Sequence, residues 1–412
     1  MQKKIMMLSI HGDPAATIGS EEQGGQPIYI NDISKLLSEN YEIDIFTRKK
    51  NKVEEEIIKI FPNVNVIRIQ AGPVEFISKE KIYLYLNEFF MNMIRWIKKN
   101  KRDYLLIHSH YWDSASIALK SKDYFEIPVV HNCHSLGRVK YEVIGKTKTP
   151  FADMRLLEEK LILKYSNAIT ASTPQEIENI LNLYNVMGEN IKLICAGINE
   201  NLFRPIEKKI AAKKVDFNSK NTILFVGRIN KEKGLRILIQ ALGQVKKKFN
   251  QEIKLLIIGG DISEAKHSEI ENKEKKHLKE LIEQLKLSNN VHFLGSIARQ
   301  WLPYYYSIAD ICVVPSLYES FGLVAVEAMA CATPVIASKV GGLAHTVKNE
   351  FSGLHFEKEN FKDLAEKIIE LITDPEKINK MGINARTRVS ENFGLNKTVE
   401  QIKELYKSLI ES

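Results

Sequence analysis

The chain has 412 residues, of which 44% are hydrophobic and 27% charged, and a formal net charge of +8. That length suits two domains, and no apolar run approaches the roughly 20 residues that span a bilayer. The basic balance points to anionic partners, but no nucleic-acid motif with interleaved aromatics accompanies it, so nucleic acid is excluded as a partner. Cys133, Cys195, Cys312 and Cys331 lie far apart with no CxxC pair, which argues against a disulfide framework or zinc site and fits a reducing, cytoplasmic location. The opening MQKKIMMLSIHGDP has too short an apolar run and no small-residue cleavage pattern, so it reads as a buried strand rather than a signal peptide.

In chain order, the β-branched runs KIMMLSI, YEIDIF, VNVIRI, DYLLIH, IPVVHN and NAITAS predict buried strands. Helical periodicity predicts helices over 28–39, 81–99 and 151–165. This alternation implies a parallel sheet with helices on both faces. A polar, lysine-rich stretch over 206–220 reads as a linker, after which NTILFV, IKLLII, NVHFLG, ICVVP and TPVIAS restart the rhythm. The expected fold is therefore α/β, with two Rossmann-like, doubly wound domains at 1–205 and 206–385 and a C-terminal helical segment at 386–412. The helical stretch 396–410 has the periodicity to pack back on the first domain. Open parallel sheets bind ligands at the carboxyl ends of their strands, so chemistry is sought in the loops that follow them.

Three loops stand out. HGDPAATIGSEEQGGQPIYI follows the first strand and places Gly24, Gly25 and Gln26 just before a helix, with Pro27 in its first turn. No GxGxxG fingerprint occurs, and Gly145-Lys146-Thr147 fails as a P-loop because Lys140 stands where a glycine is required. In VGRINKEKGL, Arg228 and Lys233 flank the turn into a helix. Two cations there suit an anion whose charge grows as a bond breaks. In PSLYESFGLVAVEAMA, Glu319 precedes a Phe-Gly turn and Glu327 lies inside an apolar helix, where a buried carboxylate needs a partner.

ESFGLVAVEAMACATPVIAS resembles the E-x7-E signature of retaining glycosyltransferases with the two-domain GT-B fold, and VGRINKEKG resembles their donor-phosphate loop. SEEQGGQPIYI, SHYWDS and HSLGRVK are similar to first-domain motifs of the sucrose-phosphate synthase and inositol-phosphate glycosyltransferase branch. The resemblance runs from about residue 5 to 385 and implies two domains facing a central cleft. It implies that Glu319 binds hydroxyls of the transferred sugar, that Glu327 holds the nucleotide ribose, and that Arg228 and Lys233 clamp the diphosphate. Gly25, Phe321, Gly322 and Leu323 would complete the donor site, and His134 would contact the transferred sugar. Gln26, Lys79, Tyr111, Arg155 and Lys140 would bind the acceptor. Cations and a hydroxyl converging there suit a phosphomonoester, so the implied acceptor is a phosphorylated sugar or polyol. No metal or other cofactor is implied beyond the nucleotide-sugar co-substrate. The chain departs from the family pattern at Asn199, where an aspartate is usual, at Ala332, where glycine is common, and at His345, where an acid is frequent.

Two other readings remain. The amphipathic stretch 83–101 would suit weak peripheral contact with an anionic lipid surface and a lipid or polysaccharide-precursor acceptor. A non-catalytic nucleotide-sugar-binding protein would be expected to lack one of the charged site residues, and all are present.

Overall fold

The computed structural model describes residues 3–16, 24–145, 149–260 and 269–411. The Ser-Glu-Glu part of the first glycine-rich loop and Lys146-Thr147 lie outside the described residues. Two compact units emerge, Met1–Gly197 with Leu395–Ser412, and Ile198–Gly394. The boundary falls at 197/198 rather than at 205/206.

The first unit is built on β1 (Lys3–Leu8), β2 (Tyr41–Arg48), β3 (Ile57–Phe61), β4 (Val64–Ile69), β5 (Leu106–His110), β6 (Val129–Asn132), β7 (Ala168–Ala171) and β8 (Ile191–Leu193). Their order is β3-β4-β2-β1-β5-β6-β7-β8. All neighbours are parallel except β3, which runs antiparallel to β4. β1 is central because Ile5, Met6, Met7 and Leu8 are apolar on both faces and fully buried. It pairs with β2 on one side and β5 on the other. The winding direction reverses between β1 and β5, which makes that junction the topological switch point.

The second unit contains β9 (Thr222–Val226), β10 (Lys254–Ile258), β11 (Val291–Gly295), β12 (Ile311–Val314), β13 (Val335–Ser338) and β14 (Gly353–Phe356). Their order, β11-β10-β9-β12-β13-β14, puts the reversal between β9 and β12. The sequence signalled neither β3, β8 nor β14. β3 is only half-buried, β8 has three residues, and β14 opens on a glycine.

Two expectations are corrected. Within 206–220, the Lys208–Val215 segment is a helix rather than an open linker. It buries Ala211, packs on the Leu302–Ile308 helix, and ties Lys208 Nζ to Asp310 Oδ1 at 2.5 Å, while its remaining lysines stay in solvent. The 81–99 helix is a short 3-10 turn, Ile82–Tyr85, followed by an α-helix, Leu86–Lys99. That helix puts Phe89, Met93 and Ile97 in the core, so its apolar stripe is spent on packing rather than offered to lipid. Among the described residues no helix is long and apolar enough to cross a membrane.

The Leu395–Ile410 helix packs on the Gly25–Leu37 helix of the first unit. A Cβ at Gly197 would stand 2.6 Å from Leu395 Cα, so only glycine permits the chain to pass there. The family departures also have a structural reading. Asn199 Oδ1 accepts from the backbone N–H of Asn201 at 3.0 Å and of Leu202 at 3.2 Å, a turn that needs an oxygen and no charge. Ala332 holds φ 59°, the left-handed region in which a Cβ is strained. Ala332→Gly is therefore expected to stabilise the second unit by about 1 kcal/mol. Urea unfolding checks this, and the midpoint should rise without a change in slope.

Candidate active site

In the second unit the loops after β9 and β12 meet at the switch point. Leaving β9, the chain passes Gly227 and exposed Arg228 and enters a 3-10 turn over Lys231–Lys233, capped by Asn230 Oδ1 on the Lys233 N–H at 3.1 Å. Gly234 then takes φ 68°, and a Cβ there would lie 1.9 Å from the Pro315 carbonyl oxygen. This close approach lets the Leu317 N–H donate to the Glu232 carbonyl at 2.8 Å, joining the two loops. Across that seam Lys233 Nζ meets Glu319 Oε2 at 2.6 Å, and Ser316 Oγ donates to the same oxygen at 3.3 Å. The phosphate-clamping cation and the sugar-binding carboxylate expected from sequence are thus one ion pair. Both groups stay partly exposed, 25% and 18%, so the pair adds little stability and remains open to a ligand.

Gly322, at φ 93°, precedes the Leu323–Ala330 helix, and a Cβ there would stand 2.6 Å from Leu343 Cδ2. The Phe321 ring is buried against Phe393, at 5.6 Å between centroids, which leaves the main chain of Phe321 as its contribution to a ligand site. Glu327 is 5% exposed and accepts from the Tyr306 hydroxyl at 2.9 Å. Arg299 approaches its other oxygen at 3.9 Å. Burial and the neighbouring carboxylate push the Tyr306 phenol well above its ordinary pKa, so it remains a donor. Sequence reasoning did not assign roles to Tyr306 and Arg299, which lie 21 or more residues before Glu327, nor to Ser316, whose position three residues before Glu319 carries no distinctive signal.

In the first unit, neighbouring strands β1, β5 and β6 deliver His11, Tyr111 and His134 respectively. Gly25 opens the helix Gly25–Leu37 and is exposed. Gln26, one residue on, is tied by Nε2 to Ser9 Oγ at 3.2 Å. Tyr111 sits at φ 71° with its ring buried beneath the Arg155 guanidinium, 5.1 Å away. Burial raises the Tyr111 pKa, opposed by the nearby charges of Arg155 and Lys140. Arg155 is 2% exposed. Its Nε donates to Glu159 Oε1 at 2.8 Å, and its Nη2 to Ser135 O and Oγ at 3.1 and 3.0 Å. Glu159 in turn accepts from the Gly137 N–H at 2.9 Å and from the Tyr184 hydroxyl. Arg155 therefore braces the His-Ser-Leu-Gly loop, and the adjoining Gly137–Ile144 helix carries Lys140. Lys79 lies part-buried in the loop after β4. Fully buried Arg48 shapes that loop by donating to the carbonyls of Ala71, Pro73 and Glu75.

His134 has φ 55°, and its Nε2 lies 3.0 Å from His110 Nδ1. Behind it are His108, bonded to the Tyr406 hydroxyl at 2.6 Å, and His131, bonded to Ser109 Oγ at 2.8 Å. Burial lowers His108 and His131 to about 3 and holds His110 and His134 well below the usual value, so the cluster is neutral at pH 7. Among the described residues no group of three or more His, Cys, Asp or Glu is placed to hold a metal ion.

Residues 23–202 match the description Glycosyltransferase Family 4, and residues 205–388 match Glycosyl transferases group 1. The D-inositol 3-phosphate glycosyltransferase 2 of Catenulispora acidiphila is 30% identical over 417 aligned positions, covering 100% of this chain and 96% of that protein. The D-inositol 3-phosphate glycosyltransferase of Corynebacterium kroppenstedtii is 31% identical, covering 99% and 90%. Among solved structures, a sucrose-phosphate synthase from Thermosynechococcus elongatus is 35% identical with a TM-score of 0.90, covering 99% of each chain. The Anabaena HepE structure with UDP and glucose shares the fold at 20% identity and a TM-score of 0.77, covering 99% of this chain and 100% of that one. Two parallel α/β units with loops built at their switch points define the class as a GT-B glycosyltransferase. Within that class the chain belongs to the group 1 glycosyl transferases, with a family 4 first domain.

The buried histidines generate a pH prediction. Each is neutral when folded but titrates near 6.5 when unfolded, so the unfolded chain binds more protons between about pH 3 and 6.5. Stability is complete above that window and falls on acidification through it, by about 1.4 kcal/mol per pH unit per histidine. Urea midpoints at pH 7, 6, 5 and 4 check this. Separately, Gly234→Ala is expected to cost several kcal/mol of stability through the collision with Pro315, read as a lower thermal midpoint.

Proposed function

We propose that this protein transfers a hexosyl group, with retention of anomeric configuration, from a nucleotide-diphosphate sugar to a phosphorylated sugar or polyol. The observation that carries the reading is the Lys233–Glu319 pair at the switch point of the second unit, 2.6 Å apart and partly open to solvent. Glu319 accepts hydroxyls of the transferred sugar while Lys233, shared with Arg228, meets the diphosphate. As the glycosidic bond breaks, charge gathers on that leaving group, and fixed cations beside it lower the barrier. These two cations take the role that a metal plays elsewhere, so the reaction is proposed to run without one. Glu327, held by Tyr306, is suited to the two hydroxyls of the nucleotide ribose. His134, neutral and aimed by His110, offers the transferred sugar a hydrogen bond without adding charge.

The acceptor assignment draws support from relatives named for inositol 3-phosphate and from a solved relative named for sucrose phosphate. It is also supported by the gathering of Tyr111, Arg155 and Lys140 in the first unit. Lys79 and Gln26 complete the proposed acceptor set, and no protein nucleophile is assigned. A donor phosphate oxygen is the proposed acceptor of the attacking hydroxyl's proton.

The test is mass spectrometry of product with UDP-, ADP- and GDP-sugars against hexose phosphates and inositol phosphate, in chelator. A phosphorylated glycoside mass is expected. Glu319→Ala and Lys233→Ala should each lower kcat by about 10²–10³. Turnover by either variant at the parent rate would displace the site.

A further inference from the structure

A file of buried rings runs from the Leu395–Ile410 helix to His134, and the proposed chemistry uses only its last member. At the far end the Tyr406 hydroxyl and His108 Nδ1 are 2.6 Å apart. The His108 and His110 rings pack at 4.2 Å between centroids, tilted by 38°. His110 Nδ1 then shares a hydrogen bond with His134 Nε2 at 3.0 Å. His108 and His110 lie two apart on β5, so the alternation of a strand puts both on one face. Tyr406 stands 298 residues beyond His108 and reaches that face because its helix lies against β5.

The arrangement is costly. His108, His110 and Tyr406 are fully buried. His108 Nε2 and His110 Nε2 meet no hydrogen-bonding partner among the described residues. A buried polar atom left unsatisfied destabilises a fold, and an apolar side chain at either position would avoid that penalty. Packing alone therefore gives no reason for imidazoles here. A reason appears at the other end of the file. His134 sits in the loop between β6 and the Gly137–Ile144 helix, at φ 55°, where a Cβ is strained. Its ring lies between His110 and the edge of Tyr29, at 5.1 and 5.4 Å between centroids. Ring packing alone tolerates a flip, whereas a hydrogen bond is directional, so the bond from His110 fixes the rotation of His134. His110 can do so only if its own ring is held. The packing against His108 holds it, and the Tyr406 hydroxyl holds His108.

We propose that Tyr406 and His108 act through His110 to position the imidazole of His134, so that the Leu395–Ile410 helix governs the rate of sugar transfer without touching substrate. This rests on the reading of His134 as a contact of the transferred sugar. His108, His110 and Tyr406 are positioning residues. They set an orientation that matters as the glycosidic bond breaks, so their loss lowers kcat and leaves KM in place.

The experiment uses the full chain, isotope-labelled at the histidine nitrogens, with the variants His134→Ala, His110→Leu, His110→Asn and Tyr406→Phe. Ring-nitrogen NMR of His134, assigned by the loss of its signals in His134→Ala, reads its hydrogen bonding with no substrate present. The parent should show one fixed tautomer. His110→Leu and Tyr406→Phe should move both His134 nitrogens toward the average of a ring that exchanges between tautomers. His110→Asn puts an amide where Nδ1 stood and should stay near the parent. Turnover is then read with UDP-, ADP- or GDP-glucose and inositol 3-phosphate or a hexose 6-phosphate. Expected is a fall in kcat of about 10- to 100-fold for His110→Leu and about 3- to 10-fold for Tyr406→Phe, with KM within about two-fold of the parent. The double variant should be no slower than His110→Leu alone, because both act along one path. Parent-like ring signals or a parent-like kcat in His110→Leu or in Tyr406→Phe would overturn the proposal, as would additive losses in the double variant. Parent-rate turnover by His134→Ala would instead overturn the reading of His134 itself. No turnover by the parent with any pair would overturn the acceptor class, and the ring signals would then decide the positioning on their own.

Discussion

The parallel sheet is the constraint from which the rest follows. Every strand that pairs in parallel must be re-entered by a crossover, so the carboxyl ends of the parallel strands of a unit, all but β3 in the first, open on the same edge. Where the winding reverses, the loops after two adjacent strands diverge and leave a crevice. In this protein those junctions are β1/β5 and β9/β12. Lys233 and Glu319 are 86 residues apart in sequence and His11 and Asp113 are 102 apart, yet each pair closes to hydrogen-bonding distance because its members leave adjacent strands.

Around those junctions, burial decides which groups carry charge. The histidines beneath His134 are dry and neutral, which lets them pack ring against ring, as His108 and His110 do at 4.2 Å. Glu159 and Arg155 take the opposite course, keeping their charges because each satisfies the other and several further hydrogen bonds close the network. Glu327 relies on a neutral donor, Tyr306. The Lys233–Glu319 pair is partly open to solvent on both sides, whereas in the His11–Asp113 pair only the imidazole keeps exposed surface.

The elements legible from sequence were those with a strong period and a long run. The central strands announced themselves as unbroken apolar stretches because both faces are covered. β3 and β8 sit at the two ends of the sheet order, where a strand stays partly exposed and needs no long buried run, and β14 likewise ends the second sheet. The 208–215 helix was hidden because it buries a single alanine and spends lysines on its exposed faces. The motif residues Arg228, Lys233, Glu319 and Glu327 were legible as a resemblance. Their mutual geometry was not, and neither was the brace that Arg155 forms with Glu159 and Ser135.

By itself, then, the sequence determined two α/β domains, the loops that carry the chemistry, and the residue types at the centre of each. Local patterning suffices for these because strand and helix periods and loop motifs are written over a few consecutive residues. The tertiary structure alone decided which charges are paired, which histidines are neutral, and that His11 meets a buried aspartate. Those properties depend on distances between residues about one hundred positions apart and on the exclusion of water, and neither is encoded in any short stretch of chain.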